Sequence, residues 1–355
     1  MKIVLLDGYG LNSDLDWTAL QALGDCDLYD RTPVDDDDEI CRRIGDSELV
    51  ITHKTPLHAE VIARLPKLRY IGVMGTGYDV IDIAAARARG ITATNVPTYA
   101  EGAVAQFAFS LLLEVTGQVG LHNRLVHEGT WSHVPDFTFW ERPLFELKSK
   151  TLGLVGYGHI AQQVSRMAHA FGMGVIYWNH RPKQPVEPGD AQVPLVELLR
   201  TADVVSLHVI QTPETVGIIN ARALAHMKPT AILVNTARGK LVVEADVAAA
   251  LNEGKLYAYA TDVVGKEPIA SNNPLLTAKN CYITPHIAWA PHETRQRLLD
   301  ITVKNLEAFL GGASRRTSFN SLSSTPPTNL AVCHNDTLPS GRGEHEVHRR
   351  GSGQA

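Results

Sequence analysis

Three polar residues sit where short apolar runs end. Arg238 closes AILVNTAR, Glu267 follows the run that ends at Asp262 in TDVVGKEP, and His286 closes CYITPH. If these runs are parallel strands of one sheet, their carboxyl ends converge on a crevice, the place where open α/β sheets bind ligands. Arginine offers a planar fork for a carboxylate. A histidine beside a glutamate gains proton affinity and can release a proton near neutral pH. Together these groups are the parts needed to reduce a 2-keto acid. Singly, each has a plainer reading: Arg238 as a structural ion pair, Glu267 as a turn residue before Pro268, His286 as a satisfied strand-end histidine. Their occurrence together and in order favours catalysis.

A second stretch supplies a place for the other reactant. TLGLVGYGHIAQQV puts Gly156, Gly158 and Ala161 at G-x-G-x-x-A spacing between a strand and a helix. The first glycine permits a tight turn, the second lets a pyrophosphate approach the backbone, and the alanine lets the helix pack close on the sheet. His159 and Ile160 open that helix, whose free N–H groups and positive dipole end suit phosphate. The next strand, MGVIYWNHRPK, ends in Asn179, His180 and Arg181 instead of the acid that binds the ribose diol of NAD. Asparagine does not repel a 2′-phosphate and arginine can pair with one, so the cofactor is expected to be NAD(P), with NADP favoured. A tolerant NAD site beside a solvated arginine is the alternative.

The elements that must position these residues are legible in outline. KIVLL, ELVITH and YIGVM alternate with helical stretches such as HAEVIARL, the pattern of a parallel sheet covered on both faces. EGAVAQFAFSLLLEVTGQVGLHNRLVHEG follows as one long helix or two joined ones, and residues 130–150 read as an aromatic, proline-bearing loop or arm. Six strand-like runs come after it, and HETRQRLLDITVKNLEAFLGG closes the ordered part. From about Ala313 the chain is rich in Ser, Thr, Pro, Gly and Arg, so residues 314–355 are expected to be a disordered tail.

The 355 residues, 44% hydrophobic and 20% charged with formal net charge -5, fit a soluble protein of two domains. Nothing favours a nucleic-acid partner, which a strongly basic domain would announce, or a membrane. MKIVLLDGYG is too short in apolar length for a signal peptide and reads as a first strand. Cys26, Cys41, Cys281 and Cys333 lack zinc spacing, and a reducing cytoplasmic setting is expected. No metal site is expected: DDDDE at 35–39 reads as a solvated helix start, and His53, His58, His122 and His127 as surface histidines. Trp140 reads as a packing residue, with a place in a neighbouring subunit's pocket as the alternative.

Taken in order, LGLVGYGHIA, SLHVIQTPETVGIIN, LVNTARGKLV, TDVVGKEP and ITPHIAW resemble the D-2-hydroxyacid dehydrogenase family over about residues 1–313. YIGVMGTGYDVID, NVPTYAEGAVAQ and HIAW look most like its glycerate dehydrogenase and hydroxypyruvate/glyoxylate reductase branch. The resemblance implies an NAD(P)H-dependent reduction of hydroxypyruvate or glyoxylate. Arg238 and the N–H groups of Thr76 and Gly77 would hold the carboxylate, His286 would be acid/base, and Glu267 would keep His286 charged. Ala237 and Asp262 would lie near the nicotinamide, His208, Val209 and Thr212 along the cofactor, and Val104 and Thr236 would also bind it.

The implied fold class is α/β, with two doubly wound parallel-sheet domains. A flavodoxin-like substrate domain would span 1–101 and 287–313, and a Rossmann cofactor domain 102–286, with the site between them. The long helix and the arm suggest a homodimer. The alternative function is an NAD(H)-sensing binding protein of the corepressor type, or another family dehydrogenase acting on formate, phosphite or lactate. Turnover separates a sensor from an enzyme.

Overall fold

The computed structural model describes residues 1–11 and 14–312; the tail expected at 314–355 lies outside the described residues. Two parallel sheets carry the architecture. The first contains β1 (Lys2–Leu5), β2 (Asp25–Leu28), β3 (Leu49–Thr52), β4 (Tyr70–Val73) and β5 (Thr92–Thr94) in the order β2-β1-β3-β4-β5. The second contains β6 (Thr151–Val155), β7 (Gly174–Trp178), β8 (Ala191–Gln192), β9 (Val204–Leu207), β10 (Ile232–Asn235), β11 (Ala258–Thr261) and β12 (Cys281–Ile283). Its order is β12-β11-β10-β9-β6-β7-β8. These are the flavodoxin-like and Rossmann arrangements, and each reverses direction at one place: between β1 and β3 in the first sheet, between β6 and β9 in the second.

Strands β3, β4, β9, β10 and β11 are buried throughout, as expected of parallel strands covered on both faces. Three strands were not foreseen. β2 is the polar edge strand DCDL, β5 has three residues, and β8 is an exposed Ala-Gln pair on the far edge. Short or polar edges carry little apolar signal.

The long helical stretch is two helices, Glu101–Gly117 and Val119–His127, bent by 56°. The break is at Gln118, which adopts left-handed backbone (φ 50°) and donates from Nε2 to Val115 O at 2.8 Å and to Tyr282 Oη at 2.7 Å. The first helix buries Ala108, Leu111, Leu112 and Val115 against Leu152, Leu154 and Val234 of the second sheet. The last helix, His292–Leu310, returns to the first sheet and buries Leu298, Leu299, Val303 and Leu306 beside Ile3, Leu5 and Tyr70. Phe107 and Ile160 touch both cores, so the two halves pack on one another behind the crevice.

The acidic run opens a helix. Asp36 caps Asp37–Ile44 by accepting from Glu39 N at 2.9 Å, and Asp37, Asp38 and Glu39 fill the first turn, where carboxylates complement the dipole. No single described helix is long and apolar enough to cross a membrane.

Candidate active site

Arg238 leaves the end of β10 in extended conformation, and its loop is shaped by Asn235. The Asn235 side chain donates to Arg238 O at 3.0 Å and accepts from Ala237 N at 3.0 Å. The guanidinium donates from Nη1 to Ala237 O at 2.8 Å and reaches across to the turn after β4. There a Cβ added to Gly77 would lie 2.7 Å from Nη2, so only glycine admits the arginine so close to that backbone. Thr76 is exposed; Asn95 Nδ2 donates to its carbonyl at 2.8 Å, and its hydroxyl donates to Val96 O at 3.0 Å. The cation and the Thr76–Gly77 backbone thus form one pole of the crevice.

The other pole is the histidine and glutamate. Glu267 Oε2 lies 2.7 Å from His286 Nδ1, and Val264 N donates to Oε1 at 3.3 Å. Burial opposes ionisation of Glu267, but the His286 hydrogen bond and charge, with Val264 N and Lys54, outweigh it and lower its pKa below 4.5. His286 itself has φ 56°, uncommon for a residue with a Cβ. Asp262, 1% exposed at the end of β11, holds that loop. Its carboxylate accepts from Ile287 N at 2.9 Å, Ala288 N at 2.8 Å and Thr284 Oγ1 at 2.6 Å. Trp289 Nε1 donates to His286 O at 3.0 Å and completes the clamp.

At the ends of β6 and β9, Gly156 meets His208 and Val209. Gly156 has φ 96°, and a Cβ there would lie 2.8 Å from the His208 carbonyl and Val209 N, so both requirements select glycine. His208 is half-buried; desolvation lowers its pKa to about 4, and its Nε2 pairs with Ser206 Oγ at 2.9 Å. Gly158 precedes the helix His159–Ala170, whose first turn has no side-chain cap; a Cβ at Gly158 would meet nothing. His159 is exposed, 4.0 Å from Glu101, while Ile160 is packed between the two cores. Asn179 accepts from Tyr157 N at 3.4 Å and donates to Arg181 O at 2.9 Å; His180 and Arg181 are exposed. Thr212 lies in a turn closed by Thr215 Oγ1, which accepts from its N–H at 2.7 Å. Thr236 Oγ1 is buried with no hydrogen-bond partner among the described residues. An uncapped helix start, open space at Gly158 and an orphaned hydroxyl near Arg238 fit a dinucleotide.

Residues 109–288 match the family model described as "D-isomer specific 2-hydroxyacid dehydrogenase, NAD binding domain". The chain is 50% identical to the hydroxypyruvate reductase of Blautia hydrogenotrophica over 315 residues, 88% of this chain and 98% of that protein. The chain belongs to the D-2-hydroxyacid dehydrogenase family. Among solved structures, the TT0316 protein of Thermus thermophilus superposes with a TM-score of 0.80 at 34% identity, covering 90% of this chain and all of that one. An NADPH-dependent glyoxylate/hydroxypyruvate reductase from Sinorhizobium meliloti, solved with NADP and malonate, superposes with a TM-score of 0.77 at 27% identity, over 89% and 96% of the two chains. This D-2-hydroxyacid dehydrogenase is therefore an oxidoreductase that uses a nicotinamide cofactor and reduces 2-keto acids to D-2-hydroxy acids.

Two expectations change when the dehydrogenase is seen folded. His53 is not a surface histidine: it follows β3 at the crevice, its ring centroid 5.0 Å from that of Trp289 at 74°. Trp140 does not pack within its own chain and is 65% exposed, in an arm where Phe137 and Trp131 are also exposed. Val104, 9% exposed, packs with Tyr99, Ala100 and Ala288. The sequence reading also missed Asp7, Asp262 as the holder of the His286 loop, and Trp289. Asp7 and His53 carried the same signal as Arg238, a polar residue ending an apolar strand.

Proposed function

We propose that this dehydrogenase reduces hydroxypyruvate or glyoxylate to the corresponding hydroxy acid, with NADPH favoured as reductant. The observation that carries the reading is the 2.7 Å His286–Glu267 pair facing a crevice whose other pole is Arg238 against Gly77. Arg238 and the N–H groups of Thr76 and Gly77 bind the carboxylate and so orient the neighbouring carbonyl. The nicotinamide, when bound, supplies a hydride to C2. Glu267, joined to Nδ1, leaves Nε2 of charged His286 free to give its proton to the carbonyl oxygen; in the reverse direction neutral His286 takes it back. Thr236, Ala237 and Asp262 flank the nicotinamide side, and His208, Val209 and Thr212 line the way to Asn179, His180 and Arg181. Asn179 brings no negative charge and Arg181 is exposed beside it, which supports NADP.

The division we infer is a substrate domain of residues 1–101 and 287–313 and a cofactor domain of 102–286, closing on the substrate to exclude water. A homodimer is supported by the exposed aromatics of the arm and by the helix Val119–His127, which buries no residue in the single chain. The test is loss of reduced-cofactor absorbance with hydroxypyruvate, glyoxylate and pyruvate, each with NADPH and NADH. Turnover fastest with NADPH and either of the first two acids supports the reading; tight nucleotide binding without turnover sinks it.

A further inference from the structure

His53 lies at the place where the first sheet reverses direction. It follows β3 directly, while Asp7 and Gly10 follow β1, and ligands of doubly wound sheets sit at such switch points. The neighbouring strand, β4, leads to Thr76 and Gly77. Along the strand ends the carboxylate pole is therefore next to His53.

Three contacts hold the imidazole there. Asp7 accepts from three successive backbone N–H groups, His53 and Thr55 at 2.7 Å each and Lys54 between them, which fixes the loop. Trp289 meets the ring edge-on, and the same indole donates to the His286 carbonyl. Gly10 leaves the ring its place: a Cβ there would lie 2.7 Å from His53 Nδ1. No described residue hydrogen-bonds either ring nitrogen of His53.

We propose that His53 is a substrate-positioning residue that recognises the C3 hydroxyl of a 3-hydroxy-2-keto acid, at the end of the substrate opposite the carboxylate. The inference rests on the function proposed above. A keto acid held by its carboxylate at Arg238 and by its carbonyl oxygen at His286 has one substituent left on C2, and His53, joined to His286 through Trp289 at the switch point beside β3, is the group assigned to it. Burial, then the positive charge of Lys54, outweigh Asp7 and lower the pKa of His53, with His286 adding to the effect. The ring is accordingly neutral at pH 7, with one N–H donor and one lone-pair acceptor, which matches a hydroxyl that both accepts and donates. Glyoxylate has no C3 and gains nothing from this contact.

The experiment compares His53→Phe and His53→Gln with the wild type, using NADPH against hydroxypyruvate and glyoxylate. For His53→Phe, kcat/KM for hydroxypyruvate should fall about 10- to 100-fold, mostly through KM, while glyoxylate loses much less, the range expected for one unmet polar contact. His53→Gln, which keeps a donor and an acceptor, should recover part of the loss. Equal losses on both acids, or none on either, would overturn the assignment. A wild type that reduces neither acid overturns the proposed function and this inference together; an active wild type with an unselective His53→Phe overturns this inference alone.

Discussion

Glu267 Oε2 and His286 Nδ1 are 2.7 Å apart, and the glutamate's pKa lies below 4.5 despite its burial. The carboxylate is thus ionised through the neutral range and favours the charged imidazole. Glu267→Gln keeps the shape and removes the charge. Keto-acid reduction needs protonated His286, which the Glu267 carboxylate orients through Nδ1, so kcat/KM for the keto acid should fall about 100-fold, the lower end of what a positioned acid–base group contributes. For stability the sign follows from the lowered folded-state pKa. Glu267 stabilises the fold above pH 4.5 and loses that contribution as pH falls through the lowered value. A Glu267→Gln enzyme with wild-type kcat/KM would remove Glu267 from the mechanism.

Gly77 and Arg238 test the opposite pole. A methyl group at residue 77 would meet Nη2 at 2.7 Å, too close for the guanidinium to stay. Gly77→Ala should lower kcat/KM for the keto acid on the order of 100-fold, the cost of displacing a binding group by about an ångström. Arg238→Lys keeps the charge but loses the planar fork, and should do at least as much damage. Steady-state kinetics at saturating cofactor measure both, and wild-type values for either variant would refute the carboxylate role.

Much of this was legible in the sequence because of how parallel strands are built. β10 and β11 are buried on both faces, so they read as apolar runs, and a polar residue at their ends stands out. β2 and β8 sit at sheet edges, where a strand needs little apolar surface, and gave no such signal. His53 ends an equally clear strand, but what distinguishes it from a surface histidine is tertiary: a tryptophan 236 positions later and a bare glycine face supplied by Gly10. Local periodicity does not carry that apposition. Trp140 failed in the other direction, since an aromatic residue is expected to be buried and this one is left outside its own chain.

Asp262 should prove structural as well as local to the chemistry. Its buried carboxylate satisfies Ile287 N, Ala288 N and Thr284 Oγ1 and so holds His286 at its left-handed φ of 56°. Asp262→Ala strands these donors, at about 1–3 kcal/mol for each one left buried. Thermal denaturation should show a clear fall in Tm. The NADPH-saturated kcat should fall further than the stability loss explains, because His286 is freed to relax. An unchanged Tm would mean that the loop is held by other contacts.

Cofactor choice turns on the end of β7. Asn179 uses its amide to hold Tyr157 N and the Arg181 carbonyl, so it presents no charge to a ribose, while the Arg181 side chain is exposed beside it. If Arg181 pairs with a 2′-phosphate, Arg181→Ala should raise KM for NADPH about 10- to 100-fold, the range for losing a charge-assisted hydrogen bond, and leave NADH nearly unchanged. Asn179→Asp should act on both sides at once, repelling the phosphate of NADPH and offering the NADH diol two acceptor oxygens. The ratio of kcat/KM for NADPH to that for NADH, measured with one keto acid, reports both substitutions. A wild type that prefers NADH, or an Arg181→Ala ratio equal to that of the wild type, would transfer the preference to other residues without disturbing the roles of Arg238, Glu267 and His286.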